Sequence, residues 1–110
     1  MIGKPVRALL VALLFIASPA MASCPRPWLP PPQFDYEPRM PVKEFPAKDR
    51  MHVNAMCKRA FFGHQCPLPI FGRGLVVNVE GQTPYCAIVY LKDCPDERRH
   101  ERAHCNGWGH

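Results

Sequence analysis

Serine is almost missing from this chain: Ser18 and Ser23 are the only two, and neither is flanked as a serine-hydrolase nucleophile turn requires. Nor is there a glycine-rich loop of the kind that cradles phosphates. No stretch combines clustered Lys and Arg with stacking aromatics, so nothing points to a nucleic-acid partner. The net charge of +5 includes Lys4 and Arg7, and removing those two leaves +3, too mild to argue for a polyanion. Long apolar runs are lacking as well. The run Ala8 to Ala17 holds ten residues, about half of the roughly 20 needed to cross hydrocarbon.

Proline and cysteine, by contrast, are plentiful. The 14 prolines are about twice the usual share and interrupt the chain too often for a bundle of long helices. At the amino end, Lys4 and Arg7, the apolar run and the small-residue pattern Ala20-Met21-Ala22 follow one another as in a secretory signal peptide. Residues 1–22 are therefore read as a signal segment, with cleavage after Ala22 and export to the periplasm or beyond. No stable membrane insertion is expected once it is removed. A lesser alternative is lipid attachment at Cys24, although Met21 stands where a lipobox usually carries Leu. About 88 residues remain, one small domain whose apolar core needs help from disulfides, a metal or a partner. In an oxidising compartment Cys24, Cys57, Cys66, Cys86, Cys94 and Cys105 read as up to three disulfides. The spacing does not choose among the pairings. Within one straight helix Cys94 and Cys105 would lie about 16 Å apart, so pairing them requires the chain to fold back.

The expected architecture is a small α+β domain stapled by disulfides. Residues 23–46, with Pro30-Pro31-Pro32 and interleaved Trp28, Phe34, Tyr36 and Phe45, form a proline-rich extended arm whose aromatics pack on the domain. Residues 47–110 form the domain proper. Lys48 to Phe62 lacks Pro and Gly and carries Met51, Ala55, Met56, Cys57, Ala60 and Phe61 near helical spacing, so one amphipathic helix is predicted, with its methionines in the core. His52 is read as a surface or half-buried residue. Leu75 to Glu80 and Tyr85 to Leu91 are strand-like and close enough for an antiparallel pair. A last helix begins at Cys94-Pro95-Asp96-Glu97, with proline at a first helical position and acids where the helix dipole favours them.

That last helix carries the chemistry. His100-Glu101-Arg102-Ala103-His104 is an HExxH motif. Four residues turn a helix by about 400°, so both imidazoles leave nearly the same face and can share a zinc ion. Glu101 beside them can take the proton of a zinc-acidified water, producing a nucleophile for amide hydrolysis. The motif continues through Asn106-Gly107, a good helix stop, to His110, giving HExxHxxGxxH. Three histidines plus water is the open arrangement of a catalytic zinc.

At these residues the sequence resembles the zincin metallopeptidases, and His100, Glu101, His104, Gly107 and His110 match the signature of their metzincin branch. The string Arg99 to Trp108 is also similar to the tail of small exported bacterial proteins described as metallopeptidases. The resemblance covers about a dozen residues. It implies zinc as cofactor, His100, His104 and His110 as ligands, Glu101 as general base, and a peptide or protein as substrate. It also implies that Tyr85 to Leu91 serves as an edge strand along which extended substrate is laid.

Other readings of the same residues stand beside it. The His110 α-carboxylate could bind metal in place of its ring. A closed structural zinc could use Cys94 or Cys105 with the histidines. Glu97 and Glu101 could simply pair with Arg98, Arg99 and Arg102 on a solvated face, and Trp108 could pack against the helix end. The competing function is then a non-enzymatic, cysteine-stapled binding or structural protein of the cell envelope, with the arm as its contact surface.

Overall fold

The computed structural model describes Cys24, residues 27–67 and residues 72–110. The expected signal segment lies outside the described residues. In chain order a 3-10 turn at Pro32–Phe34 is followed by strand β1 (Val42–Ala47), helix α1 (Arg50–Ala60), strands β2 (Arg73–Val77) and β3 (Tyr85–Leu91), and helix α2 (Pro95–His104). The α+β class, the amphipathic helix, the antiparallel pair and the motif helix are all present.

The sheet has the order β1-β3-β2, with β1 parallel and β2 antiparallel to β3. Two expectations change here. Val42 to Ala47, mostly assigned to the arm, pairs with β3 from Val42 opposite Cys86 to Ala47 opposite Leu91. β3 is consequently central and not an edge strand, and its residues from Cys86 to Leu91 are buried. A strand covered on both faces reads as a nearly unbroken apolar run, as Tyr85 to Leu91 does.

Alternation along β3 divides the core. Ala87, Val89 and Leu91 join Ala47, Val53, Cys57 and Val77 on the α1 side. Cys86, Ile88 and Tyr90 join Cys105 on the α2 side. In α1, Asp49 caps the first turn by accepting the His52 N–H at 2.8 Å. Val53, Met56, Cys57 and Ala60 form its buried stripe. Met51 is 90% exposed; it stands about 200° round the helix from Val53, so the stripe that buries Val53 turns Met51 to solvent. The helix ends where Phe62 and Gly63 take positive φ.

Three disulfides join Cys24 to Cys94, Cys57 to Cys66 and Cys86 to Cys105. They are the bonds of an oxidising, non-cytoplasmic compartment. No described helix is long and apolar enough to cross a membrane. With its sulfur joined to Cys94, Cys24 has none left for a lipid thioether.

Helix α2 is very polar, and three different contacts hold it. Cys94 and Cys105 tie its two ends to the arm and to β3. Gly74 of β2 lets the helix backbone approach so closely that a Cβ there would sit 1.9 Å from the Glu101 carbonyl oxygen. The arm lies along the outer side. Arg99 Nε donates to both Asp35 oxygens at 2.9 Å, and Arg102 and Arg98 reach Glu37 at 2.7 and 3.0 Å. Asn106 Nδ2 donates to the Phe34 and Tyr36 carbonyls at 2.9 and 2.7 Å. Of the aromatics expected to dock the arm, Phe45 packs against the core, while Trp28 and Tyr36 stay 71% and 45% exposed and ionic and backbone contacts do the rest.

Candidate metal centre

The helical spacing of His100 and His104 brings their rings to a centroid distance of 5.0 Å on one face of α2. After the helix, Gly107 takes a φ of 96°, a conformation glycine adopts without a Cβ clash. The chain turns there and carries His110 back over the same face. Its Nε2 lies 3.0 Å from His100 Nε2, and one ligand atom from each of the three rings falls within 4.8 Å of the others. His100, His104 and His110 are therefore brought together, as the motif requires.

Backbone carbonyls orient two of the rings. His100 Nδ1 lies 2.5 Å from the Trp28 carbonyl and His104 Nδ1 lies 2.7 Å from the Trp108 carbonyl. A carbonyl only accepts, so each Nδ1 carries the proton and each Nε2 presents its lone pair, which is how second-sphere contacts fix a ligating tautomer. Burial pushes both pKa values below the ordinary histidine value, and the neighbouring histidines act in the same direction. Neutral imidazole is the form that binds metal.

Indole rings wall the cluster. Trp108 stacks on His104 at 5.2 Å with an interplanar angle of 12°, and stands edge-on to His100 at 4.9 Å. Trp28 lies 5.5 Å from His110. Beyond packing at the helix end, Trp108 therefore supplies both a stacked ring and the carbonyl that orients His104. His100 and His104 are half-buried, while His110 is exposed and leaves the centre open to solvent.

Glu101 projects from α2 towards β2, next to the centre. Its Oε1 lies 3.8 Å from His104 Nε2. A Cβ on Gly72 would lie 2.7 Å from its Oε2 and 2.4 Å from the Val89 carbonyl oxygen, so only glycine leaves room for the carboxylate there. Burial pushes the Glu101 carboxyl up to about 8, with Glu97 as a second, like-charged cause. Glu97 and Glu101 are both buried. The surface ion pairs with neighbouring arginines foreseen for them do not form, because acids of the arm take those arginines. Glu97 Oε2 instead accepts the Leu91 N–H at 3.2 Å.

No described cysteine is free, so the closed site with Cys94 or Cys105 has no thiolate to use. The donor set is three imidazoles beside a carboxylate, which suits a borderline-soft divalent ion such as zinc. The motif revealed the histidines and Glu101. It did not reveal Trp28, which lies 72 residues before His100 and contributes a carbonyl that every residue type carries. Nor does it point to Gly72 and Gly74, whose missing side chains make room for Glu101 and its backbone. The chain matches no protein-family model, no curated protein and no solved structure, so a functional reading rests on these residues alone.

Proposed function

We propose that the chain is an exported zinc-dependent peptidase, with His100, His104 and His110 holding the metal and Glu101 acting as general base. The observation that carries this reading is the convergence of the three rings, two of them oriented through Nδ1 by backbone carbonyls, beside a buried carboxylate. Zinc, when bound, supplies Lewis acidity that polarises a carbonyl and acidifies water. Glu101 Oε1 takes up the proton released when water attacks the peptide carbonyl and returns it to the departing amine. Burial raises the proton affinity of that carboxylate, and the positive charge of a bound divalent ion would act in the opposite direction, leaving it ionised to accept the proton. Gly72 and Gly74 keep Glu101 in place, and Trp108 shields the His104 ring. The strand edge beside Glu101 is that of β2, so an extended peptide hydrogen-bonds there and not on β3.

The oxidised exported chain is expected to hold about one zinc by elemental analysis. At free zinc 100-fold above Kd, binding stabilises the fold by about 2.7 kcal/mol. Glu101→Gln should retain the metal and lose peptide hydrolysis, whereas His104→Ala should lose both. Wild-type protein that takes up no zinc refutes the reading. The second reading, a non-enzymatic envelope binding protein, is favoured by the exposure of Trp28, Leu29 and Tyr36 on the arm. Full zinc occupancy without cleavage of any member of a peptide library selects it.

A further inference from the structure

Cys24 is bonded to Cys94, the residue that caps the start of α2. Four residues further on, the Trp28 carbonyl meets His100 Nδ1 at 2.5 Å. The arm then passes along the helix. Asp35 engages Arg99 through both carboxylate oxygens and Arg102 through one, at 3.2 Å, and the Phe34 and Tyr36 carbonyls accept from Asn106. The carbonyl that sets the His100 tautomer therefore lies between two fixed points, a disulfide on one side and an ion-paired carboxylate on the other. Asp35 is well suited to the second role, since its pairing with Arg99 holds its carboxyl below the usual range.

We propose that Asp35 is a positioning residue of the metal centre, acting with the Cys24–Cys94 disulfide to hold the Trp28 carbonyl on His100 so that His100 Nε2 faces the metal. Nothing in the HExxH motif specifies this contact. It arises because one strap of chain is fixed at both ends to the helix that bears the ligands. The inference rests on the metal reading above and adds to it a second-sphere element far away in sequence. Second-sphere partners that orient a ligating histidine change metal affinity by about 10- to 100-fold when removed.

Its test begins with the metal-free protein, where nitrogen-15 NMR of the imidazoles reports which ring nitrogen carries the proton. Wild type should show His100 protonated at Nδ1. Asp35→Asn and the double variant Cys24→Ser/Cys94→Ser should each show a mixture of tautomers, and Asp35→Glu should restore the single form. Zinc titrated against a competing chelator should then bind about 10- to 100-fold more weakly to the first two variants and near wild-type strength to the third. A merely structural strap would lower thermal stability without altering the tautomer. Wild-type zinc affinity in Asp35→Asn, or a single Nδ1–H tautomer retained in both disrupting variants, overturns the proposal and leaves the metal reading standing. A wild type with the expected tautomer but no zinc affinity overturns both.

Discussion

Gly74→Ala tests whether helix α2 rests on β2 as closely as the structure shows. The added methyl would lie 1.9 Å from the Glu101 carbonyl oxygen, 2.6 Å from its carbonyl carbon and 3.1 Å from its Cα. All three are backbone atoms, so no rotamer change relieves the clash. A normal contact needs about 3.4 Å, and recovering it requires the helix to move off the strand by about 1.5 Å. Cys86–Cys105 ties the helix end to β3, the strand beside β2, and the arm bonds four helix residues, so such a shift strains contacts on both sides. Overpacking in a tight interior costs about 1–3 kcal/mol and occasionally more. With no flexible neighbour to yield, about 3 kcal/mol is the reasonable figure. For a domain of this size that corresponds to a fall in Tm of roughly 12–24 °C. Thermal unfolding of the oxidised protein followed by circular dichroism measures it. Gly109→Ala is the control, since a Cβ there meets nothing within 4 Å, and it should leave Tm unchanged. A Gly74→Ala protein melting within about 2 °C of wild type would refute the close approach, because even the lower overpacking cost exceeds that shift.

The pH dependence of stability should carry two opposite slopes. Burial raises the Glu97 and Glu101 carboxyls to about 7 and about 8 in the folded protein, so their contributions are full below their unfolded values and are lost as pH rises through those values; Tm should fall between pH 5 and 8, and Glu97→Gln should remove part of that fall. Asp35, Glu37 and Glu44 have their carboxyls lowered by Arg99 and Arg98, so what they contribute is present above the ordinary carboxylate range and is lost on acidification below it. A Tm that climbs steadily from pH 5 to 8 contradicts the Glu97 assignment. Removing the Cys86–Cys105 bond by Cys86→Ala/Cys105→Ala opens a loop of sequence separation 19, and loop-closure entropy puts the loss at about 3 kcal/mol, measurable as a denaturant midpoint.

Local signals carried the elements that depend on neighbours in sequence. The run Tyr85 to Leu91 became a strand with those ends, and Pro95 with Asp96 and Glu97 opened a helix where the dipole favours acids. The rotation of α1 was harder to read. Met51 and Val53 are both apolar, and only the position of the sheet decides which one is buried. The parallel pairing of Val42 to Ala47 with β3 was hidden for a similar reason. Pro41 and Pro46 flank or interrupt that stretch, and proline usually marks chain outside a sheet, yet β1 lies at the sheet edge, where a missing N–H is tolerated. In the candidate centre, side chains one helical turn apart were legible and backbone carbonyls were not. Every residue carries a carbonyl, so which one meets an imidazole follows from tertiary placement alone.

The polarity of α2 explains why the centre is built this way. A helix whose residues from Arg98 to Arg102 are all ionisable offers the core little more than Ala103 and the buried carbons of Glu97 and Glu101. Ordinary apolar burial would leave such a helix free to slide or roll, and rolling by one residue turns it by about 100° and would carry His100 away from the Trp28 carbonyl. Each attachment opposes a different motion. The disulfides at Cys94 and Cys105 resist sliding, the contact at Gly74 sets the depth, and the arginine pairs with Asp35 and Glu37 resist rolling because they act on the outer side. Charged residues that contribute little to the core can in this way be held firmly enough to set the positions of His100 and His104. Weakening one attachment should therefore loosen the centre along one direction and not unfold it. That consequence separates a metal site fixed by its surroundings from one that only the ion would assemble.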